Sequence, residues 1–253
     1  MNHAIHFVGA GPGDPELITV KGRRLLREAD LIIYTGSLVP KTLLEGLAAD
    51  IHNSAGLNLD EVLALLVDAW KKEKKVVRLH TGDPAIYGAI NEQLAALEAH
   101  DIPCRVIPGV SSATAAAAAL STELTLPDIS QTVIITRRAG RTPVPEGEAL
   151  PLLASHQATM LILLSISMID KVVADLLTGG YSADTPVAVG EKVSWPEERQ
   201  IRGTLADIEQ KVKAADIRKT AIIAVGKVLA QAPPPSLSKL YDKSFSHEYR
   251  QGS

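Results

Sequence analysis

The sequence contains few of the residues that stabilise disulfide-rich or metal-bound proteins. Cys104 is the one cysteine among 253 residues, which excludes an internal disulfide and any metal site built from several cysteines. Aromatic residues make up 4% of the chain, so alanine, leucine, isoleucine and valine supply most of the apolar side chains. This composition is typical of α/β proteins, in which aliphatic strands lie between helices.

The chain also lacks an excess of basic residues and a long apolar run. With 26 lysines and arginines against 29 acidic residues the formal net charge is −3, so no global basic field would gather nucleic acid or anionic lipid. No apolar stretch reaches the roughly 18–20 residues of a membrane span, and the amino-terminal residues do not resemble a signal peptide. The seven histidines show no metal-ligand spacing. We therefore expect a soluble cytoplasmic protein that binds no metal, nucleic acid or membrane.

Short β-rich runs alternate with helical patterns and predict an α/β fold. The predicted strands are 5–8, 31–34, 76–79, 105–107, 132–136, 160–164, 187–189 and 221–225. A helix is predicted from about Leu59 to Lys72, with Asn58 as N-cap and Glu61 three residues later. Thr204 is the predicted N-cap of another helix. A break near residues 115–130 divides the pattern into two α/β halves.

These patterns predict three parts of the chain. Residues 1–118 form a first α/β domain that carries glycine-rich loops, and residues 119–232 form a second α/β domain. Residues 233–253 follow a run of prolines, are polar, and are expected to be a loosely held tail.

Three loops rich in glycine, proline and small polar residues follow predicted strands of the first half. They are Gly9–Pro15, Thr81–Gly88 and Pro108–Ser112. Open α/β sheets bind ligands outside the carboxyl ends of their strands, so three such loops indicate a ligand site at one sheet edge.

The first of these loops does not favour a dinucleotide. In a nicotinamide-binding loop the third glycine would stand at residue 14, but Asp14 places a negative charge where the pyrophosphate would lie. Pro12 and Pro15 offer no N–H to a phosphate. These residues argue against a nicotinamide-dependent oxidoreductase and favour a ligand held by backbone groups and shape.

In their order and spacing, the three loops resemble those of the tetrapyrrole methylase family, over about residues 4–230. The segments 34–39, 126–132 and 136–143 make the chain most similar to the branch that methylates C-11 of precorrin-4 in cobalamin biosynthesis. Uroporphyrinogen methylases have an arginine where this chain has Ala89, which disfavours a uroporphyrinogen substrate. The resemblance implies two α/β domains with the active site in the cleft between them, and a homodimer.

The family resemblance also implies a cofactor, S-adenosylmethionine, which leaves as S-adenosylhomocysteine, and the residues that contact it. Matched by position, the first-half contacts are Pro12, Gly82, Asp83, Ile86, Ser111 and Ser112. The matching positions in the second half are Leu164, Val193 and Ala221.

Fewer residues are candidates for contact with the substrate, which would be a small polycarboxylate tetrapyrrole. Glu92 and Asp83 are the candidate catalytic residues, although the electron-rich pyrrolic carbon need not have a strong base. Arg137, Arg138 and Arg141 are the candidate carboxylate-binding residues, because a guanidinium pairs with a carboxylate through two hydrogen bonds. His80 is interpreted either as a structural histidine or as a substrate contact.

Other functions remain open at this point. A methylase of the same fold could act on another tetrapyrrole position, on a modified protein histidine or on ribosomal RNA, and a non-catalytic tetrapyrrole carrier is a further class. Whether the substrate carries cobalt is also open, since the macrocycle itself would bind the metal.

Overall fold

The structure, a computed structural model, describes residues 3–230, 238 and 242–252. By its internal contacts the chain divides into two compact units. One contains residues 1–115 together with 193–197, and the other contains residues 116–192 and 198–253. The expectation of a loosely held tail over 233–253 falls in part outside the described residues.

The first unit contains a parallel sheet of five strands. They are β1 (Ile5–Gly9), β2 (Leu31–Tyr34), β3 (Asp50–Asn53), β4 (Val76–His80) and β5 (Cys104–Ile107). Their order is β3-β2-β4-β1-β5, and every pairing is parallel. The three glycine-containing loops follow β1, β4 and β5, so they leave neighbouring strands at the same edge of the sheet.

Helices cover both faces of this sheet. They are α1 (Val20–Glu28), α2 (Leu59–Lys71) and α3 (Asn91–Glu98), and α4 (Ser112–Ala119) follows the third loop. Val8 and Leu79 pack with α1 on one face, whereas Phe7 and Ile33 pack with α2 and α3 on the other. The alternation of side chains along each strand thus produces two apolar layers, and each fully buried aliphatic side chain contributes about 1.5–3 kcal/mol.

The second unit contains a mixed sheet. Its strands are β6 (Val133–Arg137), β7 (Thr159–Leu163), β8 (Pro186–Glu191), β9 (Arg199–Thr204) and β10 (Ala221–Val225). Their order is β6-β7-β10-β8-β9, in which only the β6–β7 pairing is parallel. The helices α5 (Leu150–Ala154), α6 (Ile169–Thr178) and α7 (Ile208–Ala214) pack on one face of this sheet.

The central elements agree closely with the sequence prediction, whereas two edge strands were not predicted. The capping box of α2 is present in both directions, between Asn58 and Glu61. β3 and β9 are polar and contain no buried residue, so they lack the apolar run by which the inner strands are recognised. The predicted cap at Thr204 is wrong: α7 begins after Asp207, whose Oδ1 accepts a hydrogen bond from the Thr204 backbone N–H at 2.8 Å.

No helix among residues 3–230, 238 and 242–252 is both long enough and apolar enough to cross a membrane.

Candidate active site

Three glycines pack against one another where β1, β4 and β5 end. A Cβ atom added to Gly9 would lie 2.6 Å from the Gly109 Cα and from the Gly82 carbonyl oxygen, and one added to Gly109 would overlap that same oxygen. Gly82 N donates to Gly11 O at 2.9 Å, and Gly11 N donates back to Gly82 O at 3.3 Å. Only glycine permits so close an approach. The contact, called the glycine junction below, fixes the three loops relative to one another.

Asp83 joins two of these loops through its carboxylate. Its Oδ2 accepts a hydrogen bond from Gly109 N at 2.9 Å, and its Oδ1 accepts one from Ala85 N at 2.8 Å. Both oxygens therefore satisfy backbone N–H groups. This geometry gives Asp83 a role in holding the two loops together. Its negative charge strengthens both contacts, because hydrogen bonds to a charged acceptor are stronger than those between neutral groups.

The predicted cofactor contacts of the first half lie around Gly82. This residue has φ +60°, and a Cβ added to it would have Ser112 N at 3.8 Å and Ser111 Cα at 3.9 Å as its nearest neighbours. A side chain at this position would thus lie in van der Waals contact with backbone atoms of the third loop. Pro12 is buried in the adjoining loop, and Ile86 is half-buried, with its N–H donating to Asp83 O at 3.2 Å.

Residues 193–197 belong to the first unit, although they come from the second half of the sequence. The Trp195 Nε1–H donates to the Pro12 carbonyl at 2.9 Å, and the Asp14 N–H donates to Ser194 Oγ at 3.1 Å. A Cβ added to Gly13 would overlap the Trp195 indole. Val193, predicted as a cofactor contact of the second half, is buried in this segment. The sequence reasoning did not assign Trp195 this role, because no local pattern signals a contact 183 residues away.

Leu164 and Ala221, the other two predicted contacts, lie at one edge of the second sheet. β7 and β10 pair antiparallel with Ile162 opposite Ile223, so the carboxyl end of β7 adjoins the amino end of β10. Leu164 is 66% exposed and has φ +56°. A bulky residue in the left-handed region is strained, and such strain concentrates at functional sites.

Two of the three candidate arginines are occupied by contacts within their own unit. Arg138 Nε donates to Asp175 Oδ2 at 2.6 Å, in an ion pair whose side chains are 25% and 22% exposed. Arg137 donates to the carbonyls of Thr142 and Pro143 at 3.1 and 2.6 Å, which closes the loop after β6. Arg141 is exposed and forms no hydrogen bond or ion pair with any described residue.

The candidate Glu92 and its neighbour Gln93 lie on different faces of α3. Glu92 is exposed, whereas Gln93 is buried and accepts a hydrogen bond from Arg78 Nε at 3.0 Å. Gln93 Nε2 donates in turn to the Ala89 carbonyl at 2.9 Å, and Arg78 donates to Ile33 O at 3.2 Å. Burial lowers the pKa of Arg78 to about 10, so the guanidinium stays charged at neutral pH. This network holds the backbone at Ala89, directly after the loop Thr81–Gly88. The sequence analysis did not identify it.

His80 occupies the end of β4, immediately before the second loop. Its ring is 2% exposed and stacks on Phe7 with 5.8 Å between ring centroids, and its Nε2 has no hydrogen-bond partner among the described residues. Burial, with a smaller contribution from the charge of Arg78, lowers the pKa of His80 to about 3. His80 is therefore a neutral, buried residue at neutral pH.

Comparison with known proteins assigns the chain to a family. The model of the tetrapyrrole (corrin/porphyrin) methylases matches residues 4–209, and the chain belongs to this family. A cobalt-precorrin-4 C(11)-methyltransferase of Methanocaldococcus jannaschii is 58% identical over 98% of this chain and 96% of its own. A precorrin-4 C(11)-methyltransferase of Pseudomonas aeruginosa is 50% identical over 98% of this chain and 99% of its own.

Solved structures show the same likeness. The X-ray structure of a cobalt-precorrin-4 methyltransferase has a TM-score of 0.88 and 45% identity, and the match covers 90% of this chain and 96% of the other. A uroporphyrin-III C-methyltransferase of Thermus thermophilus in complex with S-adenosylhomocysteine has a TM-score of 0.75 and 26% identity, covering 90% of this chain and 99% of the other.

The pKa of His80 predicts an acid-sensitive component of stability. The unfolded chain binds a proton on this histidine below about pH 6.5, whereas the folded protein does so only near pH 3. The stabilisation is therefore complete above pH 6.5 and is lost as the pH falls towards 3, at up to about 1.4 kcal/mol per pH unit. Urea unfolding between pH 7.5 and 4.5 should give a shallower pH dependence for His80→Gln than for the wild type.

The exposed His156→Gln is the matched control and should retain the wild-type slope. Equal slopes for His80→Gln and the wild type would mean that His80 titrates normally in the folded protein.

Proposed function

We propose that the chain is an S-adenosylmethionine-dependent C-methyltransferase that methylates C-11 of precorrin-4, or of its cobalt complex, in cobalamin biosynthesis. The observation that carries this proposal is the glycine junction, which brings three loops together and places backbone atoms of Ser111 and Ser112 next to Gly82. The relatives from Methanocaldococcus jannaschii and Pseudomonas aeruginosa, which are 58% and 50% identical over nearly the whole chain, both carry this activity in their names.

The residues around Gly82 fit a cofactor of this kind. A nucleoside with an amino-acid tail needs backbone donors and acceptors at close range, and the space that a Cβ of Gly82 would fill borders Ser111 and Ser112. Pro12 has no N–H and Asp14 is negatively charged, so the first loop offers less to a phosphate than to such a ligand. When bound, S-adenosylmethionine supplies an electrophilic methyl group on its sulfonium sulfur.

The contribution of the chain is chiefly to position its ligands. Asp83 holds the second and third loops together, and the Arg78–Gln93 pair supports the segment that leads from the second loop into α3. Positioning of two reactants can supply several kcal/mol of barrier reduction. Because both carboxylate oxygens of Asp83 accept backbone hydrogen bonds, we assign it to this positioning role, and Glu92 remains the candidate for a direct catalytic contact.

The substrate's carboxylates require cationic partners, and Arg141 is the best placed of the three candidates. Its guanidinium has no partner among the described residues, whereas Arg137 and Arg138 are occupied by Pro143 and Asp175. We propose that Arg141 binds a substrate carboxylate and that the other two arginines shape the loop that presents it.

A homodimer and a cytoplasmic location belong to the same proposal. Val106 on the edge strand β5 and Ile135 on the edge strand β6 are each 41% exposed, and a second copy of the chain would cover such residues. Light scattering at micromolar concentration should give twice the mass of one chain, and a monomer would remove the dimer from the proposal.

The experiment that tests the function is an anaerobic incubation with S-adenosylmethionine labelled with ¹³C in its methyl group. Precorrin-4 and cobalt-precorrin-4 are supplied in parallel, and ¹³C NMR locates the transferred methyl. We expect transfer to C-11 with at least one of the two substrates. Transfer to another carbon would assign the chain to a different precorrin position, and no transfer to either substrate would contradict the proposal.

The space at Gly82 predicts a specific loss of cofactor binding. In Gly82→Ala the new methyl group fills that space, so we expect S-adenosylhomocysteine affinity, measured by calorimetry, to fall at least about tenfold, which is 1.4 kcal/mol. Because φ is +60° at this glycine, alanine also adds backbone strain of about 1–2 kcal/mol.

Gly46→Ala separates the two effects. Gly46 has φ +70° and no atom within 4 Å of an added Cβ, so this variant has similar strain without filling the space. It should bind S-adenosylhomocysteine as the wild type does. An equal loss of affinity in both variants would attribute the effect to strain and remove Gly82 from the site.

The partners of the arginines predict two different phenotypes. Arg141→Ala should raise the KM for the tetrapyrrole by about tenfold, through loss of a guanidinium–carboxylate pair, and leave the melting temperature unchanged. Arg138→Ala leaves Asp175 unpaired and should lower the melting temperature. If instead Arg138→Ala raised the KM at unchanged stability while Arg141→Ala had no effect, the two assignments would be exchanged.

A further inference from the structure

A cavity lies at the opposite edge of the first sheet from the glycine junction. It has a volume of about 380 Å³ and is lined by residues of α1 and of the amino-terminal ends of β1 and β4, with Arg105 of β5. In a parallel sheet all amino-terminal ends share one edge, so this cavity is separate from the loops that follow β1, β4 and β5. The proposed methyltransferase site makes no use of it.

Cationic side chains from separate elements converge on this cavity. Lys21 and Arg24 stand nearly one turn apart on α1, Lys75 precedes β4, and Arg105 lies beside His6 in the register of β5 with β1. A whole-chain net charge of −3 makes this local concentration of positive charge unexpected.

The acidic side chains nearby neutralise only part of this positive charge. Glu28, the one carboxylate in the lining, is paired with Arg24 at 3.2 Å. The nearby Asp30 accepts a hydrogen bond from the backbone N–H of Lys75 at 2.7 Å. Within the described part of the chain, Lys21, Lys75 and Arg105 form no ion pair. Like charges that converge on a concave surface repel one another, and a bound anion relieves that repulsion.

His6 shows the effect of these charges at the wall of the cavity. It is half-buried, and its pKa is lowered first by burial and then by Arg105, Lys21, Arg24 and His3. All the charged or titratable groups that act on it are basic, and they come from β5, α1 and the segment before β1. The wall therefore lies in a positive potential, which the pairing of Glu28 with Arg24 compensates only in part.

We propose that this cavity binds a small polyanion, a compound with two or more neighbouring phosphate or carboxylate groups. The planar guanidinium of Arg105 can donate two parallel hydrogen bonds to a phosphate or a carboxylate. Lys21 of α1 and Lys75 before β4 each add an ammonium charge. The volume lies within the range of pockets that bind small molecules. The proposal uses only side chains of the first unit and does not depend on the methyltransferase activity.

Binding should be linked to the protonation of His6. An anion in the cavity opposes the charges of Arg105, Lys21 and Arg24 and so raises the pKa of His6 towards its ordinary value. The complex therefore takes up protons, and affinity increases as the pH falls from 8 to 6.

The test uses the full-length protein and calorimetry in low-chloride buffer. Inorganic tripolyphosphate and citrate are the two probes, and they distinguish a phosphate from a carboxylate ligand. We expect saturable binding of at least one probe at one site per chain, and at least tenfold weaker binding in Arg105→Gln and in Lys21→Gln. Lys171→Gln, which removes an exposed charge from α6, should bind as the wild type does. Affinity should also fall as salt is added.

A second measurement follows the His6 ring protons by NMR with and without the probe that binds. We expect the probe to raise the pKa of His6 and His6→Gln to abolish the proton uptake. Absence of saturable binding by both probes would overturn the proposal, as would an equal loss in Lys171→Gln or an unchanged His6 titration. S-adenosylhomocysteine affinity should be unaffected in Arg105→Gln, so failure of the methyltransferase proposal is distinguished from failure of this one.

Discussion

The arrangement of the first unit depends on the contact between Gly9, Gly82 and Gly109. Three neighbouring strands end at one edge of the sheet, and their loops can meet there only if no side chain stands between them. A Cβ on Gly9 would lie 2.6 Å from main-chain atoms of the other two glycines, closer than such atoms approach in folded proteins. The parallel sheet brings the loops to one edge, and the glycines determine how closely they approach.

Further interactions hold the same loops in place. Asp83 connects the second loop to the third, and Trp195 contacts the first loop through the Pro12 carbonyl. After the second loop, the buried Arg78 donates a hydrogen bond to Gln93, which in turn donates one to the Ala89 carbonyl. Each uses a polar side chain to satisfy backbone groups, which is the role expected of supporting residues around a preorganised site.

The sequence predicted the inner elements and the loops better than it predicted the roles of particular side chains. Strands such as Leu31–Tyr34 are recognised from a continuous apolar run, but the polar edge strand Asp50–Asn53 is not. Proximity in the sequence places Arg137, Arg138 and Arg141 in one candidate cluster. Arg138 differs from Arg141 because of Asp175, a contact 37 residues away that no local pattern encodes. Long-range pairing of this kind becomes visible only in the folded chain.

The most direct test of the account is the affinity of Gly109→Ala for S-adenosylhomocysteine, compared with that of Gly56→Ala. Neither glycine has a positive φ, but a Cβ on Gly109 would overlap the Gly82 carbonyl, whereas nothing lies within 4 Å of one on Gly56. With both variants folded by circular dichroism, calorimetry should show affinity at least about tenfold weaker in Gly109→Ala and unchanged in Gly56→Ala. Wild-type affinity in a folded Gly109→Ala would contradict the claim that the glycine junction builds the cofactor site.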